Sequence, residues 1–209
     1  MSRECLNYLS TITRPDITYT VNKLAKGNLG PSKIHLQILK HLWRYVPATK
    51  EFGITMGGAS SANEVLSVYA DASFADNLLT RFSTGGHVAM MGTSPIMWSS
   101  KTQTLVATST TEAEFINLTP AGKTLLWLQY ALHELRLEQT MPMVLFTDSA
   151  NARTTVPNPL NAARTRHIDI RYKWIIDQVT KGQFEVHHIG TGKMIADGLT
   201  KPLCRPSGY

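Results

Sequence analysis

Three carboxylates occupy positions where a mixed α/β protein commonly places reactive groups. Asp71 ends an alternating, strand-like run, and Asp148 ends the apolar run at 143–147. Between them, Glu114 follows the small polar residues 109–111, a pattern typical of a helix N-terminus. Carboxylates at strand ends and helix starts converge at one edge of a mixed sheet, so we expect these three side chains to share a site.

Clustered carboxylates repel one another, and such a group is costly unless cations occupy it. Their oxygens are hard ligands that suit Mg²⁺ or Mn²⁺, which also take water and substrate phosphate oxygens. Taken singly, acids at these positions are more often ordinary caps and turn residues. Glu112, two residues before Glu114, is a rival for the helix-borne position. The residue types alone decide neither whether these acids form a metal site nor whether Glu112 or Glu114 belongs to it.

The elements that must position these acids alternate between strands and helices. The patterns predict a long helix over 111–137, weakened by Pro120 and Gly122, at which we expect a kink or a break. They also predict a short helix from Ser149 to near Pro157 and a C-terminal helix over 193–199 that carries Asp197. The remaining elements are strands over 65–70, 83–91, 96–98, 104–107, 143–147 and 184–189, and a helix over 168–179. This order predicts helices packed on a central mixed sheet.

The N-terminal residues 1–57 have a different, helical and turn-rich character. One helix is predicted between Pro15 and Gly27, and a second begins at Pro31 and stops before Pro47. The small, polar stretch 58–64 is the best linker candidate. We therefore expect a helical segment over 1–57, a linker over 58–64 and a domain over 65–204.

Composition narrows the class of protein. The 209 residues are 43% hydrophobic and 17% charged, which is typical of a globular chain. A formal net charge of +6 is compatible with a polyanionic partner. Cys5 and Cys204 have neither a disulfide nor a zinc-ligand spacing, which indicates a reducing, intracellular compartment, nuclear or cytoplasmic. No apolar run reaches the ~18 residues of a membrane span, so we expect no membrane association.

A series of short blocks resembles the ribonuclease H domain of copia-type LTR retrotransposon polyproteins, in that family's order and over roughly 65–204. One of them, 109–115, resembles the family's S-S-T-E-A-E-Y motif. Tyr8-Leu9 and 13–17 resemble the end of the reverse transcriptase that precedes this domain. The other blocks are Tyr69–Asp76, Arg81–Gly86, Ile96–Lys101, Trp127–Leu128, Asn158–Pro159, Arg164–Tyr172 and Ala196–Lys201.

The resemblance implies a ribonuclease H-like α/β fold, with a five-stranded mixed sheet flanked by helices and a small helical N-terminal segment. It implies an endonuclease that cleaves the RNA strand of RNA–DNA hybrids with two Mg²⁺ ions per site, Mn²⁺ being possible. Its metal-binding, catalytic acids are then Asp71, Glu114, Asp148 and Asp197. Glu114 is preferred over Glu112 because the family's acid immediately precedes the aromatic position, here Phe115.

Basic residues within the same blocks are candidates for contacts with the hybrid's backbone. They are Arg81, Lys101, Arg164, Arg166 and Lys193, and His167 is a candidate for orienting substrate. The mobile histidine that many cellular ribonucleases H carry has no counterpart in the short loop 190–193. The alternative hypothesis is therefore a catalytically silent module of this fold that binds nucleic acid or acts as a scaffold.

Overall fold

The computed structural model describes residues 3–27, 30–57, 65–77, 80–150 and 169–202. The predicted linker 58–64 and most of the short helix predicted from Ser149 lie outside these residues, as do three of the predicted substrate contacts, Arg164, Arg166 and His167.

The centre of the chain is a five-stranded mixed sheet, which confirms the predicted fold class. Its strands, in sequence order, are β1 (Leu66–Ser73), β2 (Thr84–Met91), β3 (Ser94–Thr102), β4 (Met143–Thr147) and β5 (Phe184–His188). Their spatial order is β3-β2-β1-β4-β5. The first three form an antiparallel meander, whereas β4 and β5 add in parallel beside β1. The ends of β1 and β4 therefore point to the same edge of the sheet.

Two helices cover one face of the sheet and form the main core. They are α4 (Thr110–Glu134) and α5 (Asp169–Thr180). Alternate residues of β1, Leu66, Val68 and Ala70, are fully buried and pack in the same cluster as Leu118 of α4. The period of two in β1 leaves Tyr69 and Asp71 on the opposite face. One face of β1 therefore packs in the core, and the other carries the carboxylate of Asp71.

The opposite face of the sheet is covered by the C-terminal segment and by the N-terminal helices. Met194, Ala196 and Leu199, in and beside the 3-10 turn Ile195–Leu199, pack on Val88 of β2. Three helices precede the sheet in sequence: α1 (Arg3–Ile12), α2 (Thr18–Lys26) and α3 (Lys33–Ala48). Their own small core is formed by Leu6, Ile17, Val21 and Leu42.

Hydrogen bonds tie the N-terminal helices to the sheet. The indole Nε1 of Trp98 donates to the carbonyl oxygen of Ser10 at 2.7 Å. The side-chain amide of Asn22 donates to the carbonyl oxygen of Ser100 at 2.9 Å. Lys23 pairs with Asp76, which lies just after β1. Residues 3–27 therefore pack directly on β1 to β3. None of the described helices has the length and apolar composition of a membrane span.

Two local predictions are wrong, and one of two alternatives for a third is excluded. Residues 104–107 form no strand, because β3 is the last strand on that side and the Gln103 side chain donates to the carbonyl oxygen of Ala113, directing the chain toward α4. The long helix is continuous through Pro120, so the break is absent, whereas a kink there stays a prediction. Helix α3 continues one residue past Pro47, since a proline in the last turn forfeits only one backbone hydrogen bond.

Candidate active site

Three of the predicted acids meet at the edge where β1 and β4 end. Ala70 pairs with Thr147 across the parallel strands, so Asp71 and Asp148 follow a paired position. Asp197 reaches the same place from the C-terminal 3-10 turn. One carboxylate oxygen from each of Asp71, Asp148 and Asp197 lies within 4.8 Å of the other two. We call these three residues the acidic cluster.

Glu114 joins the acidic cluster from the first turns of α4. It is only 8% exposed, and its Oε1 accepts a hydrogen bond from the backbone N–H of Ala72 at 3.2 Å, next to Asp71. Burial, followed by the charges of Asp71 and Asp148, raises the pKa of Glu114 to about 9. The carboxyl group of Glu114 is therefore protonated at neutral pH unless a cation lies beside it.

Glu112 has a different environment. Ser109 is the N-cap of α4 and accepts a hydrogen bond from the backbone N–H of Glu112 at 3.1 Å. The Glu112 carboxylate turns back to accept from the backbone N–H of Thr108 at 2.6 Å. This is capping chemistry, and it directs the side chain away from the acidic cluster. Glu112 therefore caps the helix, whereas Glu114, two residues later, faces Asp71.

Hydrogen bonds and one ion pair orient the members of the acidic cluster. The hydroxyl of Thr200 donates to Oδ2 of Asp71, and the hydroxyl of Thr191 donates to Oδ2 of Asp148 at 3.2 Å. The ammonium group of Lys201 lies 2.8 Å from Oδ2 of Asp197. Burial is the main cause that raises the pKa of Asp71 to about 6, and the charges of Asp148 and Asp197 add to it.

The donor set fits a hard divalent cation. Oε2 of Glu114 and Oδ1 of Asp197 are buried oxygens without a hydrogen-bond partner. Such orphaned oxygens are costly in a protein interior and are the ligands that Mg²⁺ and Mn²⁺ prefer. Lys201 supplies one positive charge against four carboxyl groups, so most of the repulsion within the site remains without a cation.

Known proteins similar in sequence include transposon polyproteins, although no family model matches the chain. The retrovirus-related Pol polyprotein from transposon RE1 of Arabidopsis thaliana is 38% identical over 96% of this chain. That from transposon TNT 1-94 of Nicotiana tabacum is 37% identical over the same share. The chain is homologous to retrovirus-related Pol polyproteins of copia-type transposons. It spans only 13% of the RE1 polyprotein and 15% of the TNT 1-94 polyprotein.

A solved structure shows the fold to which this chain is similar. LC11-RNase H1, isolated from compost, superposes with a TM-score of 0.50 at 17% sequence identity. The match covers 66% of this chain and 93% of that protein. The predictions of a ribonuclease H-like fold and of a copia-type relationship are therefore both confirmed.

Asn117, which the sequence did not identify as a site residue, holds the backbone next to the acidic cluster in place. It lies one turn after Glu114, is 3% exposed, and donates to the carbonyl oxygens of Asp71 and Gly86 at 2.8 Å each. It thereby clamps β1 to β2 where these two residues pair. The signal available in the sequence was an asparagine three residues after Glu114, on the same face of the helix. Asparagine is common near helix ends, and the pattern alone does not identify its hydrogen-bond partners.

Adjacent glycines allow two elements to approach the sheet from opposite sides. A Cβ on Gly85 would overlap Oδ1 of Asn117, on the α4 side. A Cβ on Gly86 would lie 2.7 Å from Cβ of Leu199, on the side of the C-terminal turn. These two positions of β2 therefore admit no larger side chain without movement of the segments that carry Glu114 or Asp197.

The described cations among the predicted substrate contacts lie on three different segments of the chain. Lys193 is exposed and follows Thr191, whose hydroxyl contacts Asp148. Arg81 is exposed and has a backbone φ of 57° in the connection between β1 and β2. Lys101 is exposed on β3 and lies in a groove beside α4. The cation that pairs with the acidic cluster is Lys201, which was not among the predicted substrate contacts.

Proposed function

We propose that this chain is a divalent-metal-dependent endoribonuclease that hydrolyses the RNA strand of RNA–DNA hybrids. The observation that carries the proposal is the convergence of Asp71, Asp148 and Asp197, with Glu114 beside them, at one sheet edge of a ribonuclease H fold. The homology to transposon Pol polyproteins supports it, because three of these acids, Asp71, Glu114 and Asp197, lie in the blocks that resemble the ribonuclease H domain of such polyproteins.

The four acids would act as metal ligands and not as nucleophiles. Asp71, Asp148 and Asp197 offer oxygens close enough to hold Mg²⁺ or Mn²⁺, and we infer two ions per site. The ions would activate the attacking water and stabilise negative charge on the phosphate and on the leaving oxygen. The protein's own contribution is orientation, through the hydrogen bonds of Thr200 and Thr191 to the acids.

Cations around the site would hold the hybrid through its phosphates. Lys193 is exposed two residues beyond Thr191, so its ammonium group is available to a strand that crosses Asp148. Arg81 and Lys101 are exposed on the connection between β1 and β2 and on β3. We propose backbone contacts for these three and for Arg164 and Arg166, and an orienting contact for His167. Selection of RNA would come from its 2′-hydroxyls and from duplex shape.

Cleavage of a labelled hybrid tests this function. The whole chain is incubated with a 5′-labelled RNA annealed to DNA, with and without Mg²⁺, and the products are resolved on a denaturing gel. Asp71→Asn and Glu114→Gln are expected to lower the rate of RNA cleavage by more than about 100-fold. Changes in residues that only contact metal ligands typically lower activity by roughly 10- to 100-fold. Glu112→Gln is the matched control and should retain activity, because this carboxylate caps α4.

Two results would overturn the proposal. The first is an intact RNA strand with the wild-type protein at saturating Mg²⁺ or Mn²⁺. The second is equal cleavage by wild type and Asp71→Asn. Binding of the hybrid without any cleavage would instead favour the catalytically silent nucleic-acid-binding module.

A further inference from the structure

Lys201 brings a positive charge to the acidic cluster. Its ammonium group lies 2.8 Å from Oδ2 of Asp197, which is four residues earlier in the chain. Oδ1 of the same carboxylate is buried and has no hydrogen-bond partner among the described residues. Lys201 therefore holds one oxygen of Asp197 and leaves the other oxygen available as a metal ligand.

The charge of Lys201 acts on all three aspartates of the acidic cluster. The hydrogen bond with Asp197 is the main cause that raises the pKa of Lys201, and the charges of Asp197, Asp71 and Asp148 add to it, whereas burial opposes it. Burial raises the pKa of Asp71, and the charge of Lys201 opposes that rise. The ammonium group is therefore charged at neutral pH and is attracted by three carboxylates.

A second aspartate–lysine pair with the same spacing shows what is particular to Lys201. Lys181 lies 2.6 Å from Asp177, which is also four residues earlier. The side chains of that pair are 60% and 47% exposed, whereas the side chain of Asp197 is only 19% exposed. Exposed pairs contribute little to stability, because water and salt screen both charges. The partly buried charges at Asp197 are screened less, so Lys201 has a stronger effect on the groups around it.

Lys201 also lines a cavity of about 510 Å³ between the C-terminal turn and the N-terminal helices. Tyr19 of α2 and His41 of α3 line its other side. Asp16, the acid among its lining residues, already pairs with Arg14 at 2.8 Å and accepts from the hydroxyl of Tyr45 at 3.0 Å. The cavity thus gives the ammonium group room to withdraw from Asp197 when another cation approaches.

We propose that Lys201 is the internal counter-ion of the acidic cluster, which stabilises the folded chain without metal and opposes the binding of a divalent cation. An ammonium group and a divalent ion on the two oxygens of one carboxylate repel each other, so the site binds metal more weakly with Lys201 than without it. The role rests on the metal site of the proposed function and goes beyond it, because it sets how much metal the site needs. Lys201 acts through the aspartates and not on the substrate.

Removal of this charge should change two quantities in opposite directions. Without Lys201, the repulsion among the aspartates is less compensated, so the metal-free chain becomes less stable. The same repulsion attracts a divalent ion more strongly, so metal affinity rises. A residue with a merely structural role would lower both quantities, and the loss of an orienting hydrogen bond would also lower metal affinity. Opposite signs therefore identify a counter-ion.

The first measurement is thermal unfolding of the whole chain in EDTA. Lys201→Met removes the charge and keeps an unbranched side chain of similar length beside the cavity. It is expected to lower the Tm by about 2–4 °C, the shift that corresponds to roughly 1 kcal/mol in a chain of this size. Lys181→Met removes the same charge from the exposed pair and should change the Tm by less than about 1 °C.

The second measurement is Mn²⁺ binding at constant ionic strength, followed through the electron paramagnetic resonance signal of the free ion. Lys201→Met is expected to bind Mn²⁺ about tenfold more tightly than wild type. Lys201→Arg retains the charge and should bind within about twofold of wild type. Lys181→Met should also bind like wild type, because its charge is outside the acidic cluster.

Three results would overturn the proposal. They are a Mn²⁺ affinity of Lys201→Met equal to or weaker than that of wild type, equally tight binding by Lys201→Arg and Lys201→Met, and equal Tm values of wild type and Lys201→Met in EDTA. Hydrolysis is measured separately on the labelled hybrid. If wild type left the RNA intact but the variants followed the expected Tm and Mn²⁺ pattern, the hydrolytic function would fail and the counter-ion role would stand.

Discussion

Thr200 donates a hydrogen bond from its hydroxyl to Oδ2 of Asp71, although 129 residues of sequence separate them. Thr200 is fully buried, and its Oγ1 also lies 3.1 Å from the carbonyl oxygen of Asp197. One side chain therefore contacts two of the segments that form the acidic cluster. Oriented carboxylates bind metal better than free ones, so Thr200 is a positioning residue for the proposed site.

Replacing Thr200 by valine removes this hydroxyl at nearly constant volume. Thr200→Val is expected to weaken Mg²⁺ or Mn²⁺ binding by about 10- to 100-fold, the usual effect of losing an outer-shell partner. Isothermal titration calorimetry of the metal measures it directly, and hybrid cleavage provides a second readout. Thr200→Ser retains the hydroxyl and should bind metal within a few-fold of wild type. Equal metal affinity in Thr200→Val and wild type would remove the positioning role.

The close approach at Gly86 predicts a second effect on the same segment. A methyl group there would lie 2.7 Å from Cβ of Leu199 and 2.8 Å from Cγ2 of Thr200. Gly86→Ala is expected to lower the free energy of unfolding by about 1–3 kcal/mol through overpacking. Urea denaturation measures this change. Metal affinity should also fall, because the displaced segment carries Asp197.

Gly53→Ala is the matched control for Gly86→Ala. A Cβ at Gly53 meets nothing within 4 Å, so this variant should unfold at nearly the wild-type urea concentration. Equal stability of Gly86→Ala and Gly53→Ala, together with wild-type metal affinity, would contradict this prediction. It would show that the C-terminal turn can accommodate a methyl group at Gly86 despite the short distance to Leu199.

The positions of the acids were predictable because they depend on local patterns. Parallel strands end at a common edge, so an acid after each apolar run is enough to bring Asp71 and Asp148 together. The N-cap at Ser109 was also readable, since capping chemistry extends over only four residues. The same local reasoning failed for 104–107, where a strand-like run has no neighbouring strand to pair with.

The supporting residues were not predictable, because their partners are distant in sequence. Asn117 lies 46 residues from Asp71, and Thr200 lies 129 residues from it. Neither residue type nor spacing identifies such a pair in a single sequence. Likewise, Gly85 and Gly86 lie inside the strand predicted over 83–91, and only the packing of Asn117 and Leu199 explains both glycines.

The ion pair between Lys23 and Asp76 predicts that α2 contributes to the stability of the sheet. Asp76 also accepts from the hydroxyl of Thr84 at 3.0 Å, and its side chain is only 12% exposed. Lys23→Met leaves this carboxylate without its cation and is expected to cost about 2 kcal/mol. Chemical denaturation of the whole chain measures the loss.

A double-mutant cycle separates this pair from a general loss of packing. Lys23→Met combined with Asp76→Asn should be less destabilised than the sum of the two single variants. Lys40→Met, on an exposed position of α3, should be close to wild type. Strict additivity of Lys23→Met and Asp76→Asn would show that the contact contributes nothing to stability.

The raised pKa of Glu114 predicts how stability depends on pH without metal. An unfolded glutamate loses its proton near pH 4.3, whereas the folded chain retains it up to about pH 9. Between these values the folded state binds more protons, so the free energy of unfolding falls as pH rises, by at most about 1.4 kcal/mol per pH unit for one proton. Asp71, with a pKa of about 6, contributes in the same direction only below that pH.

Comparing wild type with Glu114→Gln by urea denaturation in EDTA between pH 6 and 9 isolates the contribution of Glu114. The stability of the wild type should decline across this window, and Glu114→Gln, which has no proton to lose, should show a much flatter profile. Mg²⁺ binds the deprotonated carboxylates, so its stabilising effect on the wild type should grow with pH over the same range. Parallel profiles for wild type and Glu114→Gln would mean that Glu114 is already ionised in the folded chain at neutral pH.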